Sequence, residues 1–389
     1  MAKAESLRFT RIKLTNWRNF RSAEIKLAAR AFLIGPNASG KSNLLDAFRF
    51  LRDLAKSENG GLATALAARG GLSAVRCLEA RRPSYVEIDV DVGTDDLPEK
   101  WSYRIRFTRK TGEKIVTIIE EEIRGADGTN EIFKRDEGDA DALMYSQSII
   151  QQALRIKPFR ELVDFFASVR YLHVVPQIVR EPQRGLKEGE DPYGGDLLRR
   201  MKEMPKKTRE PRLKRISMAL KIAVPQFHEL QLIDDAITGA PHLYASYEHW
   251  RPNASKQSEE VFSDGTLRLI GFLWSITEKG GPLLLEEPEL SLHDDVAAQI
   301  PAMIARSQRL SKRQVIATTH SFSMLNGKGI GLDEVHLISV GKNGSTIETG
   351  INSSEAQVLV EEGWTVGEAM LPHAKPRSIE QLALFDVSN

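Results

Sequence analysis

Cysteine is almost missing: Cys77 is the single one in 389 residues. An internal disulfide is therefore excluded, and a reducing compartment is the expectation, with Cys77 read as a small buried apolar residue. Long apolar runs are missing too. No stretch reaches the roughly 20 residues of a membrane span, and the first residues lack a secretory pattern. A cytoplasmic location without a membrane partner is expected. Excess charge of one sign is also absent, since 54 Lys and Arg stand against 53 Asp and Glu, a net of +1. The chain as a whole is no polyanion binder, and any nucleic-acid surface must be local. There is no zinc-spaced Cys/His set, no HNH-like cluster and no useful heptad run. A nuclease would have to be a separate chain, and a long coiled-coil arm is excluded. What remains is ordinary for a globular protein: 41% apolar and 28% charged residues, enough chain for one large or two modest domains.

What is present centres on Gly35-Pro36-Asn37-Ala38-Ser39-Gly40-Lys41-Ser42. It fits G-x-x-x-x-G-K-[ST] without a mismatch, after the apolar run Ala31–Ile34 and before Leu44, Leu45, Ala47, Phe48, Leu51 and Leu54 at helical spacing. In that setting loop N–H groups and a helix N-terminus converge on phosphate. Lys41 reaches the β- and γ-phosphates, and the Ser42 hydroxyl holds Mg²⁺. Gly35, Asn37, Ala38, Ser39, Gly40, Lys41, Ser42 and the following Asn43 are the candidate nucleotide contacts, with ATP and Mg²⁺ the implied cofactors.

Before the loop, residues 7–27 alternate as a hairpin with Asn19 at its turn. Arg18 and Arg21 flank the nucleotide or are solvated hairpin charges. After it, Ser84–Val92, Trp101–Thr108 and Lys114–Ile123 read as an antiparallel sheet, Asp136–Asp141 as an exposed loop, Ser146–Ala167 as helical and Val169–Val175 as a strand. Then Arg199, Arg200, Lys202, Lys206, Lys207, Arg209, Arg212, Lys214 and Arg215 crowd together against Glu203 and Glu210. The candidate nucleic-acid contacts are Arg199, Arg200, Lys206, Lys207, Arg212, Lys214 and Arg215. A solvated helical face is the alternative.

Three further stretches complete the constellation. Phe262-Ser263-Asp264-Gly265-Thr266 opens an apolar helix, with Ser263 or Asp264 as N-cap. Leu283–Glu289, read LLLEEPE, is a buried strand ending in carboxylates; Glu286 is placed on the metal and Glu287 as general base. Glu286 stands where Asp is usual. Gln314–Ser321 is another buried strand, ending in His320, which hydrogen-bonds the γ-phosphate or attacking water. Beyond it, Val335–Val340 and Thr346–Glu348 read as a strand hairpin.

In this order the motifs resemble the ABC-type ATPase core of the RecF/SMC superfamily. The EEPE-x-x-LH form is similar to small prokaryotic AAA ATPases (AAA_21) and to the OLD-family ATPase domain. The resemblance covers about residues 7–55 and 260–340. It implies an α/β fold: a P-loop NTPase of ABC/SMC type with a mixed central sheet, an antiparallel β subdomain and an inserted helical region. The expected division is an N-terminal lobe 1–180, a helical and basic insertion 181–260, a C-terminal lobe 261–350 and a helix and tail 351–389.

The resemblance also implies a homodimer in the ATP state, with Ser263 and Gly265 contacting the partner's γ-phosphate. Gln177 matches the metal-sensing glutamine or is a loop residue. The signature SDGT, where transporters carry SGGQ, counts against a transport subunit. Only 69 residues follow His320, too few for the Toprim nuclease domain of OLD proteins. The tail Gln381-Leu382-Ala383-Leu384-Phe385 is similar to the peptide that docks on the replicative sliding clamp. Gln381, Leu382, Leu384 and Phe385 are the candidate anchors, or the tail packs locally. The expected function is a Mg²⁺-dependent ATPase switch acting with DNA or with a separately encoded nuclease or toxin in phage or plasmid defence. RecF-like repair is the alternative. A transport subunit, a DNA-independent kinase and a nucleotide-gated scaffold stand further off.

Overall fold

The computed structural model describes residues 6–56, 60–80, 84–110, 112–113, 115–125, 130–136, 145–152, 157–185, 191–248, 256–327 and 329–375. The alternation near the start becomes a hairpin. Strand β1 (Arg8–Trp17) pairs antiparallel with β2 (Phe20–Lys26), and Trp17 stands opposite Phe20 across a tight turn. Its backbone turns at Arg18, whose φ is 54°. Strand β3 (Arg30–Ile34) is buried throughout and leads through the glycine loop into the helix Lys41–Ala55, as a strand covered on both faces should be apolar.

The next strands are β4 (Val86–Gly93), β5 (Trp101–Thr108), β6 (Thr117–Gly125) and β7 (Asn130–Asp136). With the hairpin they form an antiparallel six-stranded sheet, order β2-β1-β4-β5-β6-β7. Val86, Ile88, Val90 and Val92 of β4 face the core, while Glu87, Asp89 and Asp91 on its other face are also buried. Arginines cover those carboxylates. Arg11 meets Asp89 at 2.7 Å and Asp91 at 2.5 Å, Arg104 meets Asp89 at 3.0 Å, and Arg106 bonds Glu87. Burial alone would lower the pKa of these guanidiniums; the ion pairs outweigh it and raise all three. The acidic loop expected at 136–141 lies outside the described residues after Asp136.

Among the described residues the helical pattern from Ser146 forms an α-helix only at Arg160–Ala167, with single tight turns at Ile149–Gln151 and Lys157–Phe159. The strand expected at 169–175 is only β8 (Arg170–Leu172), because Pro176 opens the helix Pro176–Arg180. Helices Leu197–Glu203 and Lys206–Ala223 follow. Then comes a sheet that sequence reasoning missed: β9 (Phe227–Asp234), β10 (Pro241–Tyr247) and β11 (Gln257–Ser258), in the order β11-β10-β9.

The helix Asp264–Thr277 follows, then β12 (Leu283–Glu286), the helix Ile300–Ser311, β13 (Val315–Thr318), β14 (Val335–Gly341) and β15 (Gly344–Thr349). A second six-stranded sheet runs β15-β14-β3-β13-β12-β8 and is mixed: β3 is parallel to both β13 and β14, and β15 is antiparallel to β14. Two compact units result. The first comprises residues 1–170, 280–284 and 312–389, and the second 171–279 and 285–311. The tail residues Gln381, Leu382, Leu384 and Phe385 lie outside the described residues.

His336 on β14 is fully buried; its Nδ1 lies 3.0 Å from the Thr349 hydroxyl, and desolvation pushes its pKa down from 6.5 to about 4. The unfolded chain therefore takes up a proton at a higher pH than the folded one. Stability from this group is complete above pH 6.5 and falls as pH drops toward 4. At pH 5 the loss is about 2 kcal/mol relative to pH 7. Urea unfolding at both pH values should show that drop in the unchanged chain and a smaller one in His336→Leu.

Candidate functional site: a glycine-loop phosphate cradle and a carboxylate strand end

The first unit carries the glycine loop. Gly35 has φ 147°, and a Cβ there would sit 2.2 Å from the Ile338 carbonyl oxygen of β14. Gly40 has φ 113°, and its Cβ would meet the Asn19 side chain at 2.1 Å. Neither position accepts another residue without displacing its neighbours. Between them Ala38 takes a left-handed φ of 61°, a cost of about 1 kcal/mol outside glycine. Asn37 and Ala38 are exposed, while Ser39 and Gly40 are buried. The helix from Lys41 has no side-chain hydrogen bond at its N-cap and no acidic residue in its first turn. Its leading N–H groups and positive dipole end thus lie at the loop. Lys41 is buried, its Nζ donating to the Gly35 and Pro36 carbonyls at 3.0 Å each. Ser42 is exposed in that first turn. This cradle fits a polyphosphate.

Asn19, read from the sequence only as a turn residue, secures the loop. Its Nδ2 donates to the Ser39 carbonyl at 2.6 Å and to Ser345 Oγ at 2.7 Å, and Asn43 Nδ2 donates to its Oδ1 at 2.9 Å. No local spacing signals this, because Ser345 is 326 residues away in sequence. Asn19→Ala should weaken ATP binding by about tenfold, since each lost hydrogen bond contributes about 1 kcal/mol to holding the loop; isothermal titration checks it.

His320 belongs to the same unit. Because β13 runs parallel to β3 with Thr318 level with Leu33, and the Thr319 N–H bonds the Leu33 carbonyl at 3.1 Å, the chain places exposed His320 at the end of the sheet where Gly35 leaves β3.

The second unit carries the other candidates. Glu286 ends β12; the Tyr171 hydroxyl donates to its Oε2, and His173 Nδ1 lies 3.4 Å from its carbonyl oxygen. Glu287 follows with a left-handed φ of 44°, a strained backbone for a residue other than glycine. A pocket beside it is lined by Arg268, Phe272, Glu286, Glu287 and Pro288. Burial lowers the Arg268 pKa, and the nearby carboxylates of Asp264 and Glu287 oppose that shift. Sequence reasoning missed Tyr171 and Arg268; Arg268, four residues past Asp264, is marked only by helical spacing.

Ser263 caps the helix Asp264–Thr277, its Oγ accepting from the Thr266 N–H at 3.1 Å, and it is exposed. Arg180 holds Asp264 at 2.7 Å and the Phe262 carbonyl at 2.6 Å, fixing the turn before the helix. Gly265 lies against the Ser291 carbonyl, where a Cβ would come within 2.4 Å. Gln177 is exposed in the helix Pro176–Arg180.

The basic cluster is also in the second unit. Arg199, Lys206, Lys207, Lys214 and Arg215 are exposed. Arg200 bridges Asp196 at 3.3 Å and Glu278 at 3.2 Å. Arg212 is buried, its guanidinium 4.7 Å from the Trp274 ring centre.

A strand, a glycine loop and a helix, with β3 between two parallel neighbours, define the fold of an ABC/SMC-type P-loop ATPase. The family model AAA_21, described as "AAA domain, putative AbiEii toxin, Type IV TA system", matches residues 30–326, and the chain belongs to that family of AAA ATPases. Among solved structures, an SMC head bound to the C-terminal winged-helix domain of ScpA aligns with a TM-score of 0.54 at 14% identity, covering 87% of this chain and 97% of that one. An Smc head with an extended coiled coil, bound to the C-terminal domain of ScpA derived from Pyrococcus furiosus, aligns with a TM-score of 0.51 at 13% identity, covering 92% and 99%. The comparison with curated proteins gives no match. Among the described residues no helix is long and apolar enough to cross a membrane.

Proposed function

We propose that the chain is an ATP-hydrolysing switch that pairs with a second copy around ATP and passes its state to DNA or to a separately encoded effector. The observation that carries this is the phosphate cradle of Gly35, Gly40 and Lys41 at an uncapped helix start. Bound Mg-ATP would supply the γ-phosphoryl group and its leaving group. Lys41 and the loop N–H groups would hold the phosphates, and Ser42, with Glu286 and Gln177, would support Mg²⁺. Glu287 would accept the proton of the attacking water, and His320 would orient that water or the γ-phosphate. Ser263 and Gly265 would close on the γ-phosphate of the other copy. Ser263→Arg should then still bind ATP as a monomer while failing to dimerise, read by light scattering; full ATP-driven dimerisation of that variant would remove the in-trans role.

The exposed cations Arg199, Lys207 and Arg215 support contact with DNA. Steady-state ATPase rates with and without duplex DNA test it at two salt concentrations. Salt-sensitive stimulation that disappears when these residues are neutralised supports DNA sensing, and an indifferent rate places the signal in a protein partner. Phage or plasmid defence is the role we favour, since the family description names a toxin–antitoxin setting. RecF-like repair would instead give DNA-damage sensitivity on deletion.

A further inference from the structure

Between the helix Lys206–Ala223 and β9 lies an open groove of about 900 Å³. Six consecutive β9 residues, His228 to Ile233, line it. Side chains of a strand alternate between faces, so an unbroken run lines a groove only when the groove follows the strand's edge. β9 is the end strand of its sheet, with β10 on one side alone. Leu230 turns its N–H away from β10, to Ser217 Oγ at 2.9 Å. The strand period puts the N–H and C=O of Leu232 on that same outer edge, facing the groove. Ser217 covers that edge at Leu230; at Leu232 no described residue pairs with it, and an open stretch of strand edge is a template for an added strand.

The groove's chemistry narrows the occupant. Lys206, Lys214 and Lys221 line it, and none has an ion-pair partner among the described residues. Arg209 is already engaged with Glu210, and Glu229 with Gln231. Of the large apolar side chains that line the groove, Met218 at 60% exposure and Ile233 at 40% are the exposed ones. A nucleic-acid backbone would use the lysines and leave the strand edge and the apolar groups unused. A second copy of β9 would bring its own lysine helix against this one. We propose that the groove binds an extended acidic segment of a partner protein as a fourth strand beside β9. Its backbone would pair with the β9 edge at Leu232, its carboxylates with Lys206, Lys214 and Lys221, and its apolar residues would cover Met218 and Ile233. Docking at this edge needs no ATP turnover.

The test uses the full chain and a fluorescent eight-residue peptide alternating Glu and Val, with a Lys-Val peptide as control. Anisotropy should show saturable binding of the acidic peptide at least about tenfold tighter than the control. The combined variant Lys206→Glu, Lys214→Glu, Lys221→Glu, which leaves the β9–β10 ladder untouched, should weaken it by about tenfold or more. Hydrogen exchange at the Leu232 amide should slow when the acidic peptide is bound, and Leu232→Pro should abolish binding. Equal binding of the two peptides, or no binding of the acidic one, overturns the proposal. So does binding that leaves the Leu232 amide unprotected. A 20-base-pair duplex that binds through the three lysines while the peptide does not would make the groove a nucleic-acid surface. A concentration-dependent dimer lost in Leu232→Pro, without peptide binding, would make it a contact between copies.

Discussion

Replacing Glu287 by glutamine is expected to cut ATP turnover by about 10²–10⁴, the range attributed to a positioned general base, and to leave ATP affinity close to that of the unchanged chain. The amide keeps the shape of the carboxylate but cannot accept the proton. The left-handed backbone at Glu287, φ 44°, should be retained, because nothing in the exchange alters the main chain. The variant should therefore accumulate as an ATP-bound dimer, seen as a doubled mass by light scattering that persists for hours with ATP and is absent with ADP. A variant that hydrolyses at the normal rate would move the base elsewhere, with Glu289 the first residue to examine.

Lys41→Ala is expected to lower kcat/KM for ATP about a hundredfold or more, the effect of deleting one strong charge-stabilising donor. In the chain as it stands the Lys41 ammonium bonds two carbonyls of its own loop, so the substitution also releases those acceptors to solvent. Thermal melts separate the two consequences. Without ATP the variant should melt within a few degrees of the unchanged chain. With ATP at about a hundred times its Kd, the unchanged chain should gain about 2.7 kcal/mol, and the variant should gain nothing.

The glycine loop was legible because its pattern is local: Gly35, Gly40, Lys41 and Ser42 lie within eight residues, and the strand and helix around them follow from apolar spacing. β14 and β15 were legible for the same reason, with Gly344 at their turn at φ 95°. What was not legible depends on partners distant in sequence. Asn19 acts through Ser39 and Ser345, which no window of sequence connects. The run Val169–Val175 looked like one strand because it is largely apolar, yet Val174 is buried against Gly271 of the helix Asp264–Thr277, after the strand has ended. β9 was hidden by its own exposure: its burial follows no period of two, only Phe227 and Leu230 being fully covered, so charge patterning around it dominated the reading.

The neighbours of β3 set a timetable for synthesis. Ala31 to Ile34 are wholly buried, but the strands that flank them, β13 and β14, are contributed about 300 residues later in the chain. At a translation rate of about 5–20 residues per second, the apolar strand leading into the glycine loop waits roughly 15–60 s on the ribosome without either partner. A nascent chain thus carries the whole phosphate-binding sequence long before it can shape it. The hazard in that interval is an unpaired hydrophobic strand, open to wrong pairing until residues 315–341 have emerged.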